Sequence, residues 1–396
     1  MNICIISYGH ISKTRGGVDR VTDVLSNGLK KNGHAVYMIS VCPPACYETL
    51  MDSQFQLPSM DVCSMLNKHY LQKIYDTQNI DIIINQAERK DIFDLICQTH
   101  RDIPVISCIH CDPKGILKGI IDLWDERKLE LGWKFYLSYP LHFARAIYRF
   151  HNRRYYISRK YREYYEKCNA IVLLSEKFKK SFTQLTKIKS QSRLYAISNP
   201  NSFTPPDTPL PDKEKIILFV GRLDFQKRVD RLLRIWKRLC SKFPNWKLQI
   251  VGDGTHKSMY ETICDRFKLT NVEFMGMCNP EEFYKRAAIL CVTSSHEGFG
   301  LVMIEGMQYG TIPVAFNSSE SLTDIITDKE TGFIIKKFSE KQYTQVLDKL
   351  MSDAEYREEI RNNISKFNQT KKFDTERIVK QWEKLLINTC SNDKSN

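Results

Sequence analysis

A chain of 396 residues is too long for one ordinary hydrophobic core and suits two domains. Its 42% hydrophobic and 27% charged residues exclude a disordered chain. The densest apolar runs, Ile80 to Ile84 and Ala287 to Val292, are strand-length and exclude a bilayer span, while the net charge of +13 comes with no nucleic-acid-binding motif.

In chain order, Met1 to Ser7 reads as a buried strand and lacks the basic start, apolar run and cleavage site of a signal peptide, so a cytosolic protein is expected. Strands are predicted over Ile3–Ser7, Ala35–Ser40, Ile80–Asn85, Val105–Ile109 and Ala170–Ser175, with helices such as Val18–Lys31 and Met65–Thr77 between them. The second half repeats the pattern. Strands are expected at Lys215–Val220, Lys247–Val251, Val272–Met275, Ile289–Val292 and Ile312–Ala315, with a helix over Arg228–Phe243. Between the halves, Ser198 to Ser202 is followed by Pro205, Pro206, Pro209 and Pro211, a proline density that marks a linker.

The expected fold is therefore α/β, with two Rossmann-like, doubly wound domains facing an interdomain cleft. Their spans are 1–195 and 212–375. Residues 376–396 form a C-terminal helix and tail, for which the first domain is one place to pack. The thirteen cysteines are irregularly spaced in a large chain and read as reduced thiols. Cys42 with Cys46, and Cys108 with Cys111, lack the second half of a zinc site.

The chemistry-bearing segments follow predicted strands. Ser294-Ser295-His296-Glu297-Gly298-Phe299-Gly300-Leu301 turns into a helix, whose first amides suit phosphate or sugar oxygens. Glu297 would face a sugar, and Glu305, about one turn inside the helix, could accept from both hydroxyls of a ribose. After an earlier strand, Gly221-Arg222-Leu223-Asp224-Phe225-Gln226-Lys227 offers two cations able to neutralise a diphosphate. No Asp-x-Asp occurs in the chain. Singly, each of these is also an ordinary loop charge or surface cation.

With its glycines and seven-residue spacing, the Glu297–Glu305 segment resembles the Glu-x7-Glu motif of family 4 glycosyltransferases, which have the GT-B fold. Gly221-Arg222 and Lys227 match that family's pyrophosphate-binding cations. The resemblance implies a retaining, metal-independent transfer of a sugar from a nucleotide diphosphate sugar, UDP preferred, with no cofactor. Arg222, Lys227, Glu297 and His110 would be catalytic, His110 matching the family's N-lobe histidine beside the donor sugar. Gly17 (in Gly16-Gly17-Val18), Gly252 and the Gly276-Met277 turn, with Gly298, Phe299, Gly300, Leu301 and Glu305, would bind the donor. Ser175-Glu176 resembles a further cleft pair, an N-cap being an equal reading. The resemblance is densest from Lys215 to Ile335 and implies relatives of capsule and lipopolysaccharide synthesis. Two rivals are weighed against it. A dehydrogenase would need G-x-G-x-x-G after the first strand, which is missing; a catalytically silent relative would bind nucleotide or glycan without turnover.

Residues 113–167 depart from the family pattern. They carry 13 Lys and Arg against 6 Asp and Glu, a surplus of +7, with 13 aromatic residues. Phe143, Ala146, Ile147 and Phe150 share one helical face, Arg145, Arg149 and Arg153 lie towards the other, and Arg154 intrudes. Two readings are open: a helix lying on an anionic membrane, or a subdomain whose aromatics are core. The first implies a peripheral enzyme on the cytoplasmic face of the inner membrane, extending a lipid-linked glycan.

Overall fold

The structure is a computed structural model and describes residues 1–9, 16–42, 53–115, 117, 139–203, 210 and 212–393. Cys46, residue 116, residues 118–138, the four linker prolines and residues 394–396 lie outside the described residues. The chain divides into two compact units, one of Met1–Pro113, Arg154–Ser202 and Phe373–Asn396, the other of Lys114–Arg153 and Phe203–Lys372.

The first unit is built in the order β1 (Asn2–Ser7), α1 (Gly17–Lys31), β2 (Ala35–Ser40), β3 (Gln54–Gln56), α2 (Met65–Thr77), β4 (Ile82–Asn85), α3 (Lys90–Thr99) and β5 (Val105–Ile109). Helix α4 (Tyr139–Lys167), which belongs to this unit from Arg154 on, β6 (Ala170–Leu173), α5 (Glu176–Thr186) and β7 (Leu194–Ala196) follow. Among the described residues these strands form one parallel sheet, ordered β3-β2-β1-β4-β5-β6-β7. The order reverses between β1 and β4, which pair directly. Strands β4, β5 and β6 are buried at every position, as a sheet covered on both faces requires.

A helix at Thr375–Asp393 closes this unit. Its Ile378, Val379, Trp382, Leu385 and Leu386 join Leu25 and Leu29 of α1 and Ile3 and Ile5 of β1 in one core. Each such buried side chain contributes roughly 1.5–3 kcal/mol. Gly28 of α1 admits the close approach, since a Cβ there would overlap the Val379 side chain. At the rim, Asn32 and His34 both reach Glu383, at 3.0 and 3.1 Å.

The two halves of α4 differ in surroundings. Ile157, Tyr161 and Tyr164 are buried, whereas Phe143, Ile147, Tyr148, Tyr155 and Tyr156 are 45–68% exposed. Arg145, Arg149, Arg153 and Arg154 are exposed too, and Phe150 is half-buried. The reading of these aromatics as core thus holds for the second half of the helix and fails for 143–156. Over that stretch cations and rings alike reach solvent. Among the described residues, no helix is long and apolar enough to cross a membrane.

The second unit runs β8 (Glu214–Val220), α6 (Val229–Lys237), β9 (Lys247–Val251), α7 (Lys257–Phe267), β10 (Val272–Gly276), α8 (Glu281–Arg286), β11 (Ala287–Val292) and α9 (Leu301–Gln308). It continues with β12 (Ile312–Phe316), α10 (Leu322–Ile325), β13 (Phe333–Ile335), α11 (Glu340–Ser352) and α12 (Ala354–Gln369). Its parallel sheet is ordered β10-β9-β8-β11-β12-β13, so the reversal falls between β8 and β11. The expected helix 228–243 is shorter. Arg228 is left-handed, with φ 52°, and cannot open the helix; after Lys237 the chain closes in turns such as Cys240 N to Trp236 O. The edge strands β3, β7 and β13 have three residues each, too few to show a period in sequence.

Candidate functional site

In a doubly wound sheet, ligands bind beyond the carboxyl ends of the strands where the order reverses. In the second unit those ends belong to β8 and β11, and both lead into segments singled out above. After β8, residues 221–224 enter one turn of 3-10 helix, Phe225–Lys227, whose first turn is capped by the Asp224 carboxylate accepting from Lys227 N at 3.2 Å. Arg228 then folds inward. Its guanidinium is buried, donating to Asp230 at 3.0 and 3.3 Å and lying 4.6 Å from the Phe225 ring. This lock carried no sequence signal beyond two neighbouring opposite charges.

The segment after β11 is sewn to this loop. Thr293 Oγ1 donates to Lys227 O at 3.0 Å, Ser295 N to Gln226 O at 2.8 Å, and Gln226 Nε2 to His296 O at 2.9 Å. These bonds bring the Lys227 ammonium 2.7 Å from Glu297 Oε1, with both side chains largely buried. Burial pushes the Glu297 carboxyl up, but the Lys227 charge and hydrogen bond, with help from Ser294 and His296, hold it below the usual carboxylate value. Arg222 is elsewhere on the loop, 70% exposed and paired with Asp224 at 3.1 Å.

Gly298, Phe299 and Gly300 form the turn into α9. Ser321 Oγ donates to the carbonyls of Gly298 and Phe299, each at 3.3 Å. Gly300 caps α9 in a left-handed conformation, φ +94°, which glycine adopts without strain. Leu301 begins the helix and Phe299 is buried. Glu305 is fully buried and accepts the Tyr284 hydroxyl at 2.9 Å on Oε2. Behind Tyr284, the Lys213 amine donates to the carbonyls of Tyr284 and Lys285 at 2.7 and 2.9 Å. Burial, with Arg361 adding to it, lowers its pKa to about 7.

Of the remaining glycines, Gly252 has a packing reason. Its φ is +134°, and a Cβ would overlap the Gly221 carbonyl oxygen, so the turn after β9 presses against the cation-bearing loop. Gly221 N to Val251 O, 3.0 Å, and Leu223 N to Asp253 O, 2.8 Å, fasten the two. Gly276, φ +70°, has open space where a Cβ would lie, and Met277 is 68% exposed.

In the first unit, Gly17 begins α1 behind Gly16, with no side-chain cap. His110 follows β5, and neither ring nitrogen makes a hydrogen bond of ordinary geometry among the described residues. It borders a small cavity with Val21, Gln86, Cys108, Asn199 and Trp382. Burial lowers its pKa against the opposing pull of the Glu88 carboxylate and the Gln86 main chain. Ser175 accepts from Lys177 N at 3.2 Å, so it acts as the N-cap of α5. No disulfide joins the described cysteines, Cys108 and Cys111 among them.

Residues 201–367 match the model of the family described as glycosyl transferases group 1. An uncharacterized glycosyltransferase of Haemophilus influenzae is 30% identical over 221 residues, 55% of this chain and 61% of that protein. The amylovoran biosynthesis glycosyltransferase AmsD of Erwinia amylovora is 28% identical over 229 residues, covering 54% and 61%. The chain thus spans about three fifths of the length of these curated relatives. Among solved structures, a mutant of S. aureus TarM in complex with Fondaparinux, alpha-GlcNAc-glycerol and UDP superposes with a TM-score of 0.74 at 14% identity, covering 97% of this chain and 99% of that one. The two parallel sheets and this likeness establish a GT-B fold.

Proposed function

We propose that the protein is a retaining glycosyltransferase that moves a sugar from a nucleotide diphosphate donor onto a cell-surface glycan without a metal. The observation that carries the reading is the Lys227–Glu297 pair, held at 2.7 Å beyond β8 and β11, inside the segment matching the glycosyl transferase model. A buried cation with a carboxylate partner is poised to exchange that partner for a diphosphate. UDP is the preferred nucleotide, in keeping with the UDP bound in the TarM structure.

On this reading the second unit binds the donor. Lys227 neutralises the β-phosphate, and Arg222, free to swing from the surface, adds a second charge. The first amides of α9 after Gly300 meet phosphate or sugar oxygens, Glu297 faces the sugar, and Glu305 takes the ribose. Gly252, Gly276 and Met277 approach the ribose and base through their main chain. In the first unit, Gly17 at the start of α1 serves the phosphate and acceptor, and His110 hydrogen-bonds a sugar hydroxyl. The acceptor oxygen forms its bond to the anomeric carbon on the face from which the diphosphate departs. The bond from that carbon to the β-phosphate oxygen breaks, and the leaving diphosphate takes the acceptor's proton. Charge grows on the β-phosphate in this step, so each fixed donor there contributes about 3 kcal/mol.

For the acceptor, a lipid-linked glycan is supported by the exposed Phe143 and Ile147 among Arg145, Arg149 and Arg153. Rings at headgroup depth with arginines on anionic lipid suit the cytoplasmic face of an inner membrane. Mass-spectrometric assay of a UDP-sugar panel, with and without EDTA, tests the proposal. Sugar transfer or slow donor hydrolysis that survives EDTA is expected. Nucleotide-sugar binding with no turnover would mark a silent relative, and activity restored by manganese would overturn the metal-free mechanism.

A further inference from the structure

The carboxyl ends of β4 and β5 in the first unit carry a cluster that the proposed chemistry does not use. Glu88, three residues past β4, turns its carboxylate towards the segment that begins at His110. His110 N donates to Glu88 Oε2 at 3.3 Å, and the Cys111 thiol lies 3.4 Å from both carboxylate oxygens. From the other side come two consecutive residues of α4. The Tyr161 hydroxyl donates to Glu88 Oε1 in a short hydrogen bond. The Lys160 ammonium lies 3.6 Å from the same oxygen and 3.3 Å from the Glu88 carbonyl.

Each partner is fixed in turn. Tyr161 is fully buried and stacks on Phe182, with centroids 5.6 Å apart. Tyr164, one turn on, donates to the Arg89 carbonyl at 3.1 Å and packs on Phe93. Arg89 lies 4.0 Å over the ring of Tyr8, just past β1. The ends of β1, β4 and β5 are thereby braced together where the strand order reverses. Glu88 keeps 17% of its side chain exposed, and these donors replace part of the solvation it has lost.

We propose that Glu88 is a positioning residue for His110, clamped by Tyr161 and Lys160. Its Oε2 fixes the His110 main chain, and its charge sets the field in which the imidazole meets a sugar hydroxyl. The role in transfer rests on the reading of His110 given above; the hold on His110 does not.

The test uses the full chain with Glu88→Gln, Glu88→Asp and Tyr161→Phe. Histidine-labelled protein is followed by NMR across pH, the His110 resonance being identified by its loss in His110→Gln. In Glu88→Gln the His110 titration should move to lower pH, because a negative charge beside it is gone. The kcat for UDP-sugar should fall on the order of 10- to 100-fold, the scale of a small misplacement, with UDP affinity unchanged. Glu88→Asp should restore part of the kcat, and Tyr161→Phe, which loosens the clamp without removing the charge, should move the His110 resonance and lower kcat by less than Glu88→Gln. If Glu88→Gln does not fold, Tyr161→Phe, which removes one hydroxyl, decides alone. A His110 resonance and titration matching wild type in the folded variant would overturn the proposal. So would a kcat per folded molecule that stays at the wild-type value while His110→Gln loses activity. Wild-type turnover in His110→Gln instead removes His110 from transfer, and the titration still judges Glu88.

Discussion

Lys227 and Glu297 lie 70 positions apart in the chain, yet their side chains meet at 2.7 Å, with 16% and 8% of their surfaces exposed. Each restrains the other's charge, and each is a group the proposed chemistry needs. Removing the cation alone strands a buried carboxylate. Lys227→Ala should therefore lower stability by about 3 kcal/mol and turnover by about two orders of magnitude. Lys227→Met with Glu297→Gln should recover most of the stability and none of the activity. Chemical unfolding beside donor-hydrolysis rates measures both; full activity in folded Lys227→Ala would remove it from the site.

Glu305 tests the ribose assignment. Its Oε2 is engaged by Tyr284, so Glu305→Gln preserves shape while removing the charge that would accept ribose hydroxyls. Calorimetry with UDP should register a loss of roughly 1.5–3 kcal/mol. Unchanged affinity would assign Glu305 to packing behind α8.

At Gly252, substitution by alanine meets two obstacles, a positive φ and the Gly221 carbonyl. A cost of about 1–3 kcal/mol is expected from the conformation, with the Arg222–Lys227 loop pushed from its place. Melting temperature and donor hydrolysis should fall together; a thermally neutral Gly252→Ala would contradict the close approach.

Lys213 supplies a pH dependence. Its folded pKa, lowered to about 7 by burial, lies below the 10.5 of a free lysine, so the unfolded chain binds more protons between those values. Stability rises where the unfolded state holds more protons. Lys213 should therefore make the second unit more stable as pH climbs from about 7 towards 10.5, and less so as it falls. Unfolding of the wild type and Lys213→Met across that window should give a steeper positive slope for the wild type. Parallel curves would count against the shift.

The exposed half of α4 is tested by flotation with phosphatidylglycerol vesicles. Wild type should float at low salt and less at high salt, where surface attraction is screened. Replacing Arg145, Arg149 and Arg153 by Glu should abolish flotation and leave donor hydrolysis intact. Equal flotation of both would end the membrane reading.

Much of this was legible in the sequence, and the rest was hidden for definite reasons. The long β-branched runs exposed β1, β4, β5, β8 and β11, and glycine turns after them marked the loops of Lys227 and Glu297. The pairing of those two residues was not readable, because it depends on β8 and β11 lying side by side although α6, β9, α7, β10 and α8 intervene in the chain. Glu88 gave no signal, since its partners His110, Cys111, Lys160 and Tyr161 come from other elements. Arg228 looked like the first residue of a helix, and its left-handed turn follows from the burial of its guanidinium against Asp230. The glycines of 252–254 suggested a ligand turn, and their packing against the main chain of Gly221 and Leu223 gave no sign in the sequence. In α4 the composition was plain in sequence, but where exposure gives way to burial, near Ile157, was not.

Thr375–Asp393 completes the core around α1, although the whole second unit is translated in between. A ribosome making this protein exposes Leu25, Leu29 and the sheet face behind them long before Ile378, Trp382 and Leu386 have left the exit tunnel. The nascent first unit is consequently an unfinished body with an open greasy groove, and it must wait for, or be shielded until, the arrival of the strand of sequence that seals it. Domain-by-domain folding from the amino end, the usual order of events for a two-lobed chain, is here interrupted by the path of the polypeptide itself.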